Sequence, residues 1–220
     1  RAEKHNSTRH LNEYIGLDFE MGFINDMHDV MAMETAMLKY VVEYLPKHYS
    51  DELELLGATL PVINEIHSVT FFEALDILGK SHNQFDLDPT DEVKLCEYAK
   101  ENYDSEFIFV EKFPGLKRPF YAMDLADDPK LAESFDLLFR GLEITTGGQR
   151  IHDYNELLEK MKRYHMEEGD LGAYTDIFKY GMPPHGGLGI GLERVVMKML
   201  GLANIREASL FPRDIHHLDP

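Results

Sequence analysis

The sequence predicts an α+β fold, an antiparallel β-sheet with helices grouped around it, and three observations carry that expectation. Strand-like stretches follow one another in pairs, with the helical patterns gathered between them instead of alternating strand by strand. Ile15, Leu17, Phe19, Met21 and Phe23 alternate with Gly16, Asp18, Glu20 and Gly22, the period of two of a half-buried strand. Near the end, Gly181-Met182-Pro183-Pro184-His185-Gly186-Gly187-Leu188-Gly189-Ile190-Gly191-Leu192-Glu193-Arg194 takes a rigid Pro-Pro turn into a glycine-rich strand and then a helix. With 220 residues, 44% of them hydrophobic, the chain can bury one sizeable core, so a single domain over 1–220 is expected.

Residues 1–5 and 14–25 read as two strands joined by the polar loop Asn6–Glu13. Asp26 and Asp29 introduce a long helix to about Tyr49, with Val30, Met33, Met37, Val41 and Leu45 as its expected core stripe. A shorter helix is expected near 70–79, where Thr70 and Glu73 stand at capping-box spacing, and another over about 89–102, with Pro89 in its first turn. Glu106–Phe113, Arg118–Met123 and Ser134–Thr146 read as strands, the last one long and interrupted at Gly141. Asp153 with Glu156 caps a helix to about His165, and Leu171–Tyr180 gives one more. The final helix falls at about 192–200, and Ala208–Phe211 closes as a short strand. Residues 46–105 carry little recognisable chemistry and read as a helical insertion.

Composition narrows the function. The 40 acidic against 22 basic residues give a formal charge of −18, opposite in sign to a stand-alone nucleic-acid binder, so any such contact is local or made by another domain. One cysteine, Cys96, excludes an internal disulfide and fits a reducing cytosol. No apolar run approaches membrane-spanning length. The chain starts Arg1-Ala2-Glu3, without a methionine or a signal-like segment, and reads as part of something longer.

Three constellations carry chemistry. The glycines at 186, 187, 189 and 191 leave one strand face bare, so a flat ligand can lie against the backbone, and Arg194 in the following helical turn can reach back over it. Arg1, Glu3, His5, Arg9, His10, Tyr14, Asp18 and Glu20 mix cations, carboxylates and an aromatic ring on paired strands and their loop. A nucleotide triphosphate needs that mixture, although a salt-bridged strand pair shares it. Asp136, Glu143 and Thr146 lie in a strand that ends in Gly147-Gly148-Gln149-Arg150. A bulge at Gly141 would bring the two carboxylates to one face, and Glu143 and Thr146 offer the oxygen ligands magnesium takes beside phosphates. Arg150 can clamp a small carboxylate, and Arg118 adds a cation at a strand entrance. The eleven histidines show no zinc spacing, and neither Cys96 nor any serine has the setting of a covalent nucleophile.

Together these segments resemble the catalytic domain of class II aminoacyl-tRNA synthetases, and within that class the aspartyl-tRNA synthetases of archaeal and eukaryotic type. Arg1-Ala2-Glu3…His5-Asn6…Arg9-His10-Leu11-Asn12-Glu13 looks like that family's motif 2, Gly181–Arg194 like its motif 3, and Leu210-Phe211-Pro212-Arg213-Asp214 like its ending. The resemblance implies that the fold is the class II sheet and that ATP binds across it in a bent shape. It implies that Arg1 holds the α-phosphate, Glu3 reads the adenine amino group, and Arg9 and His10 reach the distal phosphates. Tyr14 would stack on one face of adenine, with Arg194 on the other. Asp136, Glu143 and Thr146 would serve Mg2+ and phosphate, Asp18 the substrate ammonium, and Arg150, supported by Arg118, the substrate's side-chain carboxylate.

The Gly-Gly-Gln-Arg spelling at 147–150 favours aspartate, because the asparaginyl relatives usually carry a serine after the glycine pair. The implied activity is ATP-dependent formation of aspartyl-adenylate and its transfer to tRNA in cytoplasmic protein biosynthesis. The implied partners are ATP, L-aspartate and tRNA. The family's motif 1, which builds a homodimer, and its anticodon-reading OB-fold lie upstream of motif 2, so tRNA contact is expected mainly outside this chain, and residues 1–220 alone are expected to be nearly inactive. A tRNA-independent, asparagine-making paralogue and a non-catalytic nucleotide-binding scaffold remain as alternatives.

Overall fold

The computed structural model of the chain describes residues 7–214. Arg1, Glu3 and the strand expected over 1–5 lie outside the described residues. The strands are β1 (Gly16–Gly22), β2 (Ser68–Thr70), β3 (Phe107–Glu111), β4 (Ser134–Phe139), β5 (Leu142–Arg150) and β6 (His185–Gly191). The helices are α1 (Met27–His48), α2 (Ser50–Leu56), α3 (Phe71–Ile77), α4 (Pro89–Tyr103), α5 (Tyr154–Arg163), α6 (Gly172–Lys179) and α7 (Leu192–Leu200). One six-stranded sheet runs in the order β1-β6-β5-β4-β3-β2. Its neighbours are antiparallel except β2, which lies parallel to β3 at the far edge. The antiparallel sheet expected from the sequence is thus present, with the one parallel pairing at its edge making it mixed.

Local chemistry sets most helix starts. Asp26 caps α1 by accepting from the His28 amide, and Thr70 with Glu73 forms the expected capping box on α3. Asp88 and Asp91 form a second box on α4, with Pro89 in the first turn, where no amide donor is needed.

Two expected strands are absent among the described residues. In Arg118–Met123 the chain leaves a 3-10 turn at Gly115–Lys117 and pairs its backbone with the sheet at an isolated Ala122–Arg150 bridge, in a segment where Pro119 has no amide to donate. Around Ala208–Phe211 a 3-10 turn at Ile205–Ala208 runs into a loop, with Leu210 and Phe211 92% and 67% exposed and no strand beside them to bury either. The long strand expected over Ser134–Thr146 is instead the hairpin β4–β5. Arg140 and Gly141 turn it with φ of 47° and 77°, the left-handed pair that a tight hairpin demands. Arg140 tolerates that conformation with its guanidinium anchored, donating to Glu106 (2.8 Å) and to the carbonyls of Lys198 (2.8 Å) and Thr59 (2.9 Å).

The sheet's two faces differ. One is covered by α1, whose Met27, Val30 and Leu38 pack on Phe107, Phe109, Phe135, Phe139, Leu188 and Ile190. The buried stripe of α1 is Met27, Val30, Met31, Glu34 and Leu38, rotated from the expected one; Met33 is 48% exposed. The displacement has a cause: the stripe includes an acid, Glu34, fully buried and accepting a hydrogen bond from the Thr145 hydroxyl of β5. The opposite face is covered over β2, β3 and β4 by α3 and α4, through Phe71, Leu75, Leu95 and Cys96. Over β1, β6 and β5 that second face stays open. Among the described residues no helix is long and apolar enough to cross a membrane.

Candidate active site

Strand register builds the open face. Cross-strand partners share a face, so one rung carries Asp18, Gly189, Thr146 and Asp136 across four strands, and the next carries Glu20, Gly187, Gly148 and Ser134. The β6 members of these rungs have no side chains, so the middle of the face is bare backbone. Asp18 and Glu20 fold over it: a Cβ on Gly189 would stand 2.9 Å from Asp18 Oδ1, and one on Gly187 would collide with Glu20 Oε2. The glycine spacing thus makes a flat floor walled by acids on β1 and by mixed charge on β5.

The bulge forms, though at the strand and not at Gly141. Register slips between Leu137 and Leu138, so Leu138 faces Glu143 while Asp136 faces Thr146. Glu143, Thr146 and Asp136 therefore share the open side.

A cleft of about 230 Å³ lies above this floor, lined by Arg9, His10, Tyr14, Asp18, Glu143, Thr146 and Arg194 among others. Seven of the residues singled out in the sequence meet there, from three separate segments. Arg194, one turn into α7, donates to the Glu143 carbonyl at 2.7 Å and stands 3.4 Å from its carboxylate. Thr146 donates to Glu143 Oε1 at 3.3 Å. The Ser7 hydroxyl lies 2.8 Å from His10 Nδ1, at the start of the loop that carries Arg9. That loop is clamped by the chain's last segment: the Ile205 amide donates to the Thr8 carbonyl (2.9 Å) and the Asn12 amide to the Arg213 carbonyl (3.2 Å). Glu193, buried at the start of α7, accepts the Ile15 amide at 3.1 Å and ties β1 to that helix.

The cleft perturbs its own carboxylate. Burial among the walls pushes the Glu143 carboxyl up to about 7, Asp136 and Glu92 push the same way, and Arg194 and Arg118 oppose them. Its side chain still opens 37% of its surface to the cleft, so a bound cation can reach it.

Arg150 lies one rung further along, beside the floor. Its guanidinium donates to Glu20 Oε1 at 3.1 Å and sits 5.0 Å above the Tyr121 ring. Asp136 and Arg118 do not line the cleft. They form a buried two-point pair, Nη1 to Oδ1 at 2.9 Å and Nη2 to Oδ2 at 2.8 Å, with Phe113 stacked 4.0 Å under the guanidinium. In this conformation both Asp136 oxygens are taken by Arg118, which leaves Glu143 and Thr146 as the oxygen donors facing the cleft.

Among the described residues no three His, Cys, Asp or Glu side chains gather as a protein-only metal cage. One carboxylate beside one hydroxyl, next to phosphate-sized space, does suit a hard cation that keeps most of its ligands from water and nucleotide. The unforeseen member of the site is Glu92 of α4, from the stretch that carried no recognisable chemistry. It is 8% exposed and accepts both the Glu143 amide, at 2.7 Å, and the Arg9 guanidinium. Its one available signal was position: Glu92, Leu95, Cys96 and Ala99 make a single helical stripe, and an acid on an apolar stripe needs a partner.

Comparison with known proteins agrees with this geometry. The aspartate–tRNA(Asp/Asn) ligases of Deinococcus radiodurans and Thermus thermophilus are 47% and 49% identical, each match covering 100% of this chain and 53% of the relative. The chain thus spans about half the length of these curated relatives. The aspartyl-tRNA synthetase of Entamoeba histolytica superposes with a TM-score of 0.94 at 37% identity, over 100% of this chain and 47% of that one. The asparaginyl-tRNA synthetase of the same organism, solved with asparaginyl-adenylate, gives 0.88 at 29%, over 100% and 52%. The model of the class II tRNA synthetases (D, K and N) matches residues 1–215, and the chain belongs to that family.

Proposed function

We propose that the protein containing this chain joins L-aspartate to ATP, forming aspartyl-adenylate and pyrophosphate, and passes the aspartyl group to the 3′ end of tRNA. The observation that carries this reading is the glycine floor, with Arg194, Arg9 and His10 on one side and Asp18 and Arg150 along it. The solved relative named for its bound asparaginyl-adenylate supports the same ligand class.

In the first step an oxygen of the aspartate α-carboxylate attacks the α-phosphorus, the new O–P bond forms, and the bond to the β-phosphate oxygen breaks. That carboxylate is already ionised at neutral pH, so no protein base is required. The protein's part is positioning and charge stabilisation. Arg9 and His10 hold the distal phosphates, Tyr14 and Arg194 enclose the adenine, Asp18 pairs with the substrate ammonium, and Arg150 forks onto its side-chain carboxylate. Arg1 and Glu3, outside the described residues, take the α-phosphate and the adenine amino group. Glu143 and Thr146 would hold Mg2+, with Asp136 behind them. The ion, when bound, neutralises the charge that builds on the phosphates. In the second step the tRNA 3′-terminal hydroxyl attacks the carbonyl carbon and AMP leaves. The tRNA body and a homodimer partner are engaged chiefly by parts of the protein beyond this chain, a division that fits an acidic catalytic domain in the cytoplasm.

Pyrophosphate exchange into ATP by the full-length protein tests the reading. Exchange driven by aspartate and not by asparagine is expected. Exchange driven by asparagine alone, or by neither, overturns it.

A further inference from the structure

Glu92 poses a question of charge. A carboxylate beside the space for a triphosphate repels that ligand, and α4 carries it there on a face otherwise made of Leu95, Cys96 and Ala99. Its Oε2 takes two hydrogen bonds at once, from the Glu143 amide of β5 and from Nη2 of Arg9. Among the described residues the Arg9 guanidinium is held by this single oxygen, while its own Nε is buried without a hydrogen-bond partner there. The grip is one-point, whereas a guanidinium fork and a phosphate meet at two. Lys198 feels the same pair: burial lowers its pKa, Arg9 lowers it further, and Glu92 opposes both.

We propose that Glu92 is a positioning residue: it holds Arg9 against the sheet, fixes the backbone of Glu143, and yields Arg9 to the polyphosphate of the arriving nucleotide. The proposal rests on the aspartate-activating function proposed above. Glu92 touches neither substrate. It sets where the loop cation waits and ties that loop to the strand that holds the oxygen donors. Nucleotide binding then exchanges a one-point carboxylate contact for a two-point phosphate contact, and the resting position guides Arg9 without trapping it.

Steady-state exchange by the full-length protein, with ATP and aspartate varied separately, tests this through Glu92→Gln, Arg9→Ala and the double variant. The glutamine keeps an oxygen for the Glu143 amide but releases the charge on Arg9. The expected result for Glu92→Gln is a KM for ATP about fivefold lower, a lower kcat, and an unchanged KM for aspartate. In the Arg9→Ala background the same substitution is expected to leave the KM for ATP unchanged, because the competition it relieves no longer exists. A Glu92→Gln enzyme indistinguishable from the parent overturns the proposal. So does a change in ATP KM of equal size with and without Arg9, or parallel changes in both substrate KM values. A parent enzyme with no aspartate-dependent exchange refutes the function itself, and is distinguished by appearing before any variant is made.

Discussion

Glu34→Gln is the most informative substitution away from the cleft. Glu34 has no exposed surface, its Oε1 accepts from Thr145, and its Oε2 has no hydrogen-bond partner. Burial drives its carboxyl from 4.5 up to about 8, the Thr145 bond pulls it down, and Asp136 pushes it up. Between those two values the folded chain holds a proton that the unfolded chain has released. Stability is therefore complete below about pH 4.5, declines as pH rises, and reaches its low plateau above about pH 8. Integrated from pH 5 to pH 9, this one group removes about 4 kcal/mol. Glutamine keeps the oxygen that accepts from Thr145 and cannot ionise, so the variant is expected to lose about 4 kcal/mol less than the parent over the same range. Urea unfolding of both proteins at pH 5, 7 and 9 measures the difference. Identical pH dependence in parent and variant would refute the reasoning, because it would mean that the buried acid is not neutral in the fold.

Three further outcomes are expected. Gly189→Ala places a methyl 2.9 Å from Asp18 Oδ1, a movable side chain, so the full-length protein should fold with near-parental melting while its aspartate-dependent exchange falls roughly a hundredfold. Asp136→Asn leaves Arg118 buried without its counter-charge and should lower unfolding stability by about 3–5 kcal/mol, much of it regained in an Asp136→Asn, Arg118→Met double variant. Burial raises the Cys96 thiol to about 11, so alkylation at pH 8, followed by mass spectrometry, should run roughly a hundredfold slower in the folded chain than after unfolding.

What the sequence revealed tracks how local each signal is. The alternation in Gly16–Gly22, the caps at Thr70–Glu73 and Asp153–Glu156 and the entry to β6 after Pro183-Pro184 are set by neighbouring residues, and the structure has them where expected. The β4–β5 turn is also written locally, in Arg140-Gly141, but the apolar pattern on both sides reads as one long strand interrupted at Gly141. Three residues of β2 are too few to show a period, and their parallel pairing with β3 is a tertiary outcome. The acids were harder. Glu34 and Glu92 lie on apolar helical stripes where composition argues for solvent, and only Thr145, Arg9 and the Glu143 amide explain them. Residue type marked Asp136 and Arg118 as chemically able, yet that they pair with each other is visible only in space. The cleft itself was legible because its glycines, cations and carboxylates come from three motifs, each with its own spacing.

The central claim is that the bare floor of Gly187, Gly189 and Gly191 is where aspartyl-adenylate lies. A crystal structure of the full-length protein with a non-hydrolysable sulfamoyl analogue of aspartyl-adenylate tests it directly. The expected result has the adenine between Tyr14 and Arg194, the linker over Gly189, and the aspartyl carboxylate on Arg150 with Glu20 turned aside. An analogue bound in that cleft with its carboxylate away from Arg150, or bound elsewhere on the chain, would contradict the account.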